Sequence, residues 1–250
     1  MISCSKPQCS DLEVVNRFTS AMNFIDDGQK FSDTICYYPV NPFDNAGAIH
    51  NDFIESMLKD VSMISDSIAL INAINSYTHF NLDNLNVFRH IMNIDYPMAF
   101  NQEGTYLSTA VNSFSHIPSL EKAILNAFYT NLDKCDDKIA ACKRAELFIV
   151  ESDEIKKESK ERLLSAMAIY RYSTFLWMKK NADKPKGKNN WEDVYNRFDA
   201  LGVHLACNYD DEILDTYGVD IQDGKDIYHY AGMVSLSVAV LYVTHLQCFF

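Results

Sequence analysis

Apolar residues recur every three or four positions along most of the chain, which is the spacing that one face of an α-helix requires. A clear case follows residues 41–44, with the sequence NPFD. The apolar positions there are Ile49, Phe53, Ile54, Met57 and Leu58. Proline is accepted in the first turn of a helix, because its missing N–H would have no partner there. The pattern therefore predicts a helix that opens at Asn41-Pro42.

The same spacing predicts helices on both sides of this one. They cover about 12–24, 62–77, 84–92, 105–112, 119–132, 136–149, 191–205 and 226–250. Ser119 is the expected N-cap of its helix. The longest predicted helix runs from Asp153 to Lys180, and acidic residues at its start with lysines at its end match the helix dipole. We predict an all-α fold: a single irregular multi-helix bundle of roughly eight to ten helices around this long central helix.

The chain shows no internal repeat and no firm domain boundary. Residues 1–40 keep no sustained period, so we divide the sequence into a partly irregular N-terminal segment, 1–40, and an all-α domain, 41–250. The lysine-rich stretch 181–190 is typical of a solvated connection. The most apolar run, 231–243, is shorter than the roughly 20 residues that span a bilayer. We expect it to be a buried core helix, and no transmembrane span is predicted.

Composition narrows the class of protein further. The 250 residues include 34 Asp and Glu against 22 Lys and Arg, a net charge of −12, and 48% of them are hydrophobic. So much apolar side chain excludes disorder as the main state. The 8 glycines and 6 prolines are few for a turn-rich β fold. The excess of acidic over basic residues argues against a nucleic-acid partner, since phosphate binding needs clustered lysine and arginine.

The seven cysteines form no CxxC pair, so zinc ribbons and thioredoxin-like sites lack their spacing. Cys135 and Cys142 lie about 10 Å apart along one predicted helix, which is too far for a disulfide. The start, Met1-Ile2-Ser3-Cys4, is similar to the end of a bacterial lipobox, although the preceding apolar stretch is missing. Either Cys4 is lipidated and the given sequence begins inside a signal peptide, or Met1 is the true start and Cys4 is an ordinary thiol.

Residues 41–51 have the form N-P-[FY]-D-x-x-G-x-x-H-N. This segment resembles one near the N-terminus of a group of uncharacterised bacterial proteins, many from Bacteroidetes and often with lipoprotein signals. Residues 168–173 with Trp177, and residues 199–202, are similar to segments of the same group. The acidic stretch 210–226 departs from the group's Gly/Ala-rich C-terminal region. The resemblance implies a location in the cell envelope. Its three segments together span most of the chain in order, but it implies no activity.

Two glycines in these segments predict close contacts. Gly47 lies inside its predicted helix, where glycine costs about 1 kcal/mol relative to alanine. We expect another backbone or a bulky ring to approach Gly47, and helices to approach closely at Gly202.

His50 with Asp52 and Glu55 is the first candidate for a metal or catalytic cluster. The spacing speaks against it, because residues two and five apart do not share a helix face. His50 and Asn51 are more simply interpreted as hydrogen-bonding neighbouring helices or loop backbone. No HExxH, G-x-S-x-G or glycine-rich phosphate loop occurs, so we predict no catalytic residue, no metal site and no cofactor.

Arg171, in the long helix, is expected to be a buried charge that pairs with a carboxylate. Asp199 is the candidate partner. The structural interpretation is an internal ion pair, and the functional alternative is a polar pocket in which Arg171 receives an anionic ligand. The residues of that pocket would be His50, Asn51, Arg171, Tyr172 and Asp199.

Two further groups have simpler interpretations. His229, between Tyr228 and Tyr230, could line a groove, but we expect it to pack with its ring nitrogens satisfied. Residues 220–226 resemble a calcium loop with broken alternation, and a turn that caps the last helix explains them better.

Two functional classes follow. The first is a non-enzymatic, helical cell-envelope protein, anchored through Cys4, that binds a partner protein or ligand. The second is an enzyme or small-ligand carrier that uses the polar pocket in the bundle. The expected location is the cell envelope, and the alternative is the cytoplasm. The sequence names neither the partner nor a substrate.

Overall fold

The computed structural model describes residues 9–24, 36–57, 67–83, 111–112, 116–132, 134–180, 199–200, 202–204, 206 and 218–234. These residues are mostly helical and contain no strand, which confirms the all-α prediction. The helices are α1 (Cys9–Asn23), α2 (Asn45–Met57), α3 (Ser67–Tyr77), α4 (Ser119–Leu132), α5 (Lys138–Glu151) and α6 (Lys157–Lys180). Two helical pieces follow: the Asp199 segment (199–200, 202–204 and 206) and the His229 helix (224–234).

Helix α6 lies at the centre of the described bundle, as predicted. Every residue from 163 to 171 is buried, so the helix is covered on all sides rather than along one stripe. It packs against α2, α5 and α4. The shared core includes Phe53 of α2, Phe128 of α4 and Tyr170 of α6, and the ring centroids of the last two are 5.5 Å apart.

Helix α1 packs against α4 and α5. Its apolar face, with Val14, Phe18 and Met22, enters the same core. Helix α5 starts where the Asp137 side chain accepts a hydrogen bond from the N–H of Ala140, a helix cap one residue beyond the predicted start.

The C-terminal pieces pack onto this framework through glycines. A Cβ at Gly202 would lie 2.6 Å from the Cα of Ala231, which confirms the close approach predicted there. Gly232 lies against the ring of Phe53, where a Cβ would be 2.4 Å from Cδ1. The Asp199 segment, the His229 helix and α2 are therefore neighbours.

Three helix starts differ from the predictions. Helix α2 begins at Asn45 rather than at Asn41-Pro42, because the Asn41 side chain accepts the N–H of Phe43 and holds 41–44 as turns. Helix α6 begins at Lys157 rather than Asp153, after a turn over 153–155. Ser119 is the first residue of α4 rather than its cap. Cys4, the predicted helix 84–92 and the stretch 181–190 lie outside the described residues.

Candidate functional site

Arg171 lies fully buried at the meeting point of α2, α5 and α6, with 0% of its side chain exposed. Its Nε donates to Glu146 Oε2 at 3.1 Å and its Nη2 donates to Glu146 Oε1 at 3.0 Å, a two-pronged pair. Nη2 also donates to Asp44 Oδ1. Although burial opposes charge, the Glu146 carboxylate holds the pKa of Arg171 above its ordinary value. Arg171 therefore remains charged and is paired twice.

The two carboxylates beside Arg171 are themselves fully bonded. Asn41 Nδ2 donates to Glu146 Oε1 at 2.8 Å and to the Leu164 carbonyl at 3.0 Å. The Tyr172 hydroxyl donates to Asp44 Oδ2 at 2.9 Å, and burial together with this bond raises the pKa of Tyr172. All four carboxylate oxygens thus accept at least one hydrogen bond, which is the condition for tolerating charge in a core.

Aromatic rings and a lysine complete this Arg171 cluster. The Cζ of Arg171 lies 5.8 Å from the centroid of the Tyr38 ring and 5.3 Å from that of Tyr172. Lys143 Nζ lies 5.9 Å from the same Tyr38 ring, and burial and Arg171 lower its pKa. Two carboxylates and two cations balance, so the cluster presents no unmatched positive charge to an anion.

The NPFD and HN parts of the predicted motif both face α6. Asn51 Nδ2 donates to the carbonyl of Tyr172 at 2.9 Å. A Cβ at Gly47 would lie 2.4 Å from the Tyr172 ring and 2.7 Å from the Ala168 carbonyl oxygen. The close approach predicted at Gly47 is confirmed, and the motif serves to dock α2 on α6.

His50 and Asp199 lie together in a second buried group. His50 Nε2 is 3.7 Å from Asp199 Oδ1, and Ser173 donates from its hydroxyl to Asp199 Oδ2. Asp52 and Glu55 are exposed while His50 is buried, so the rejected triad of these residues is indeed not formed.

The predicted pocket residues are thus brought together, but in two groups with different partners. Arg171 and Tyr172 bond Asp44, while His50 contacts Asp199. The hydrogen bonds of the described residues pair Arg171 with Asp44 and Glu146, not with the Asp199 offered from the sequence. The Asp199 carboxylate lies instead between His50 and Ser173.

A third buried group was missed by the sequence analysis. Arg162 Nε and Nη2 donate to Glu121 Oε1 and Oε2 at 2.7 and 2.6 Å, and His204 Nε2 lies 3.2 Å from Glu121 Oε1. Burial alone would raise the pKa of Glu121, but the bonds from Arg162 and His204 lower it to about 2. The available signal was spacing, because Glu121 precedes the apolar Ile124 and Leu125 by three and four residues and so shares their face.

His229 corrects another expectation. Its side chain is 1% exposed and its ring lies 5.5 Å from the rings of Phe53 and Tyr77. Neither ring nitrogen has a hydrogen-bond partner among the described residues, and Asp226 Oδ1 stays 4.0 Å from Nδ1. The prediction that its nitrogens are satisfied is therefore wrong. Burial lowers the pKa of His229 to about 4, so the ring is neutral at pH 7.

The neighbouring acidic loop caps a helix, as predicted. Asp223 Oδ1 accepts from the N–H groups of Lys225 and Asp226, and Asp226 Oδ2 accepts from the N–H of Gln222. These bonds satisfy backbone donors at the start of the His229 helix.

The chemistry open to these groups is limited. Within the described ranges, no three His, Cys, Asp or Glu side chains are grouped to hold a metal ion. Ser173 donates to a carboxylate rather than to a histidine base. Cys135 and Cys142 do not bridge each other, as expected; both are free thiols, and burial raises the pKa of both. No described helix is long and apolar enough to cross a bilayer.

Comparison with known proteins gives no relative from which a role could be transferred: no protein-family model, curated protein or solved structure matches this chain.

Proposed function

We propose that this chain is a non-enzymatic helical binding protein of the bacterial cell envelope, which holds a partner protein on an exposed apolar surface. The observation that carries the proposal is a set of large apolar side chains left in solvent beside α5. Phe24 is 62% exposed, Tyr37 59% and Val40 40%. We call these three residues the apolar rim.

Helix α5 holds both segments of the apolar rim. Arg144 donates from Nε and Nη2 to the Met22 carbonyl at 3.0 and 2.8 Å, and Lys143 lies against the Tyr38 ring. Lys143 and Arg144 are consecutive in α5, so the two segments lie along adjacent faces of it. Aromatic side chains on backbone that is already ordered cost little entropy when a partner binds, and they dominate many protein interfaces.

The Arg171 cluster supports a scaffold role for the polar core. Its charges are neutralised inside the chain, so an anionic ligand would have to displace Asp44 or Glu146 and leave a buried carboxylate unpaired. Such a displacement is strongly unfavourable. Binding at the surface requires no change in this core.

The envelope location rests on Cys4 and on the resemblance of residues 41–51 to uncharacterised bacterial proteins that often carry lipoprotein signals. Mass spectrometry of the native protein tests it directly. We expect a diacyl adduct on Cys4, and an unmodified N-terminus would contradict the anchor. The location and the binding surface are separate parts of the proposal and can fail separately.

Photocrosslinking in cells tests the binding surface. A photoreactive amino acid placed at Phe24 or Tyr37 should trap the same discrete partner. The same amino acid at Asp52 or Glu55, exposed on α2, is the matched control and should not trap it. Equal trapping from all four positions, or trapping from none, would contradict the apolar rim as the binding surface.

One observation favours the second class, a small-ligand carrier or enzyme that uses the polar core. Nη1 of the fully buried Arg171 has no hydrogen-bond partner among the described residues. Because the cluster is charge-balanced, the ligand in this case would be neutral and would accept one hydrogen bond. Native mass spectrometry distinguishes the two classes: a small molecule that is retained by the wild type and lost from Tyr172→Phe supports the carrier.

A further inference from the structure

Arg144, half-buried on α5, uses only part of its guanidinium inside the chain. Nε and Nη2 both donate to one acceptor, the Met22 carbonyl near the end of α1, at 3.0 and 2.8 Å. These bonds occupy one edge of the planar group. Nη1 makes neither bond and is not one of the buried polar atoms that lack a partner, so it reaches water. The edge between Nη1 and Nη2 is thus oriented by Met22 and open to another acceptor.

Arg144 differs from the other arginines that the structure describes. Arg17, Arg162 and Arg171 each pair with a carboxylate. Arg144 pairs with none among the described residues, although the chain has 34 acidic against 22 basic residues. A helix places ion-pair partners three or four positions apart. On α5 those positions hold only apolar residues, which are Ala140, Ala141, Leu147 and Phe148. The free edge is therefore left for an anion from outside the chain.

Arg144 lies at the Phe24 end of the apolar rim. Phe24 is the second residue after Met22, and its N–H donates to the Ala21 carbonyl at 3.4 Å, which holds its backbone against the last turn of α1. The Phe24 side chain is 62% exposed. Arginine and aromatic side chains are enriched in the energetic centres of protein interfaces. A guanidinium that is already oriented also loses less conformational entropy when a partner binds. This end of the rim thus combines an apolar contact with a fixed cation.

The free edge of Arg144 matches the shape of a carboxylate. The two oxygens of a carboxylate can accept one N–H from Nη1 and one from Nη2 at the same time. The phosphates of a nucleic acid or of a membrane surface also fit a guanidinium, but such polyanions are held by several clustered cations. The neighbouring Lys143 is buried against Tyr38, and the net charge of −12 repels polyanions. A single carboxylate is therefore the anion that suits this surface.

We infer that the partner held on the apolar rim presents an aspartate or glutamate side chain to Arg144 and an adjacent apolar side chain to Phe24. This inference rests on the proposed binding surface and names the chemistry of its partner. The rim continues from Phe24 to Tyr37 and Val40, so the partner chain must extend past the carboxylate. A side-chain carboxylate allows that extension, whereas a C-terminal carboxylate would end the partner chain at Arg144.

NMR of the full chain tests this recognition with a small probe, N-acetyl-glutamyl-phenylalanine amide, which carries one carboxylate beside one aromatic ring. The matched control is the glutaminyl form of the same peptide, which has no charge. At millimolar concentration we expect the acidic peptide to shift the Nε–H signal of Arg144 and the backbone amide signal of Phe24, and the neutral peptide to leave both in place. Equal shifts from the two peptides, no shift from either, or an equal shift of the Arg144 signal from inorganic phosphate would overturn the inference.

The variant Arg144→Lys assigns the NMR signal and serves a second test. The Nε–H signal of Arg144 is the one missing from this variant; if the variant does not fold, nuclear Overhauser contacts to Met22 assign the signal instead. Lysine keeps the positive charge but cannot offer two parallel N–H groups to a carboxylate.

Photocrosslinking in cells separates this inference from the binding surface itself. With the photoreactive amino acid at Tyr37, we expect Arg144→Lys to lower the yield of trapped partner roughly tenfold. Arg17→Lys, on α1, is the matched control and should leave the yield unchanged. Unchanged trapping in Arg144→Lys, or an equal loss in both variants, would contradict the carboxylate contact and keep the apolar rim. No trapping in the wild type would contradict the apolar rim and this inference with it.

Discussion

The Arg171 cluster and the His229 site both bury a basic side chain, but the first keeps it charged and the second keeps it neutral. Both place a basic side chain in the core with almost no exposure to water. Arg171 keeps its charge, since it donates three hydrogen bonds to Asp44 and Glu146, whose oxygens are bonded in turn. The His229 ring packs against Phe53 and Tyr77, its nitrogens have no hydrogen-bond partner among the described residues, and it gives up its charge instead.

The difference follows from what each side chain can do with its proton. A guanidinium cannot lose its charge at any ordinary pH, so its burial requires matched carboxylates. An imidazole can become neutral, and burial drives it to do so. The Arg171 cluster is thus a fixed internal connection between α5, α6 and the turn that precedes α2, whereas the His229 site is stable only while its ring stays neutral.

Removing Arg171 should have the largest effect. Arg171→Met leaves Asp44 and Glu146 buried without their cation, and we expect a loss of about 3–5 kcal/mol of unfolding free energy, measured by urea denaturation. Arg17→Met is the matched control. Arg17 and Glu154 also form an ion pair, but their side chains are 48% and 47% exposed, and water screens such pairs. We therefore expect little change in Arg17→Met, and equal effects in both variants would contradict the comparison.

The second-largest loss of stability should come from acid, through protonation of His229. Its pKa is about 4 in the folded protein and about 6.5 in an unfolded chain, so only the unfolded state binds the proton between these values. Stability should therefore fall as the pH drops from about 6.5 to about 4, by about 2–3 kcal/mol. Urea titrations over this window should show a shallower slope for His229→Phe or His229→Gln. An unchanged slope in both would mean that the ring is not buried as a neutral group.

The third effect concerns how tightly α2 approaches the Arg171 cluster. An added Cβ at Gly47 would meet the Tyr172 ring at 2.4 Å and the Ala168 carbonyl at 2.7 Å. We expect Gly47→Ala to lower stability by about 2 kcal/mol through overpacking. Gly224→Ala is the control, since its nearest new contact is an ordinary 3.6 Å from the Tyr228 hydroxyl. Thermal unfolding compares the two, and a Gly47→Ala protein as stable as Gly224→Ala would argue against close docking.

The smallest expected effect is the loss of one donor to the cluster. Tyr172→Phe keeps the ring beside Arg171 but removes the hydrogen bond to Asp44 Oδ2, which should cost about 1.5 kcal/mol. Tyr77→Phe, next to His229, tests the other site with the same change, and no described hydrogen bond from Tyr77 is lost. We expect chemical denaturation to show the larger loss in Tyr172→Phe, and the reverse order would contradict the assignment of the two sites.

Local pattern predicted much of the fold, because helix periodicity and glycine placement are local properties. The all-α class, the central helix and the close approaches at Gly47 and Gly202 all followed from spacing. The predicted start of α2 was wrong because the Asn41 side chain accepts a hydrogen bond from the N–H of Phe43 and forms a turn there. Proline at position 42 fits that turn as well as it fits the first turn of a helix.

The local sequence pattern could not predict which distant residues pair with each other. Arg171 was expected to be buried with a carboxylate, and it is. Which carboxylate it would meet depended on how three helices pack, since Asp44 lies 127 positions before it along the chain and Glu146 25 positions before. Among 34 acidic residues, the sequence held no signal that preferred these two over Asp199.

The central claim is that the charge of Arg171 is matched inside the chain, so that the polar core is a scaffold. A double-mutant cycle of Arg171→Met and Glu146→Gln, with unfolding free energies from urea denaturation, tests it most directly. We predict that the double variant is more stable than the sum of the single losses implies, by a coupling of at least about 2 kcal/mol. Losses that add within about 0.5 kcal/mol would contradict the claim, because independent residues behave in that way.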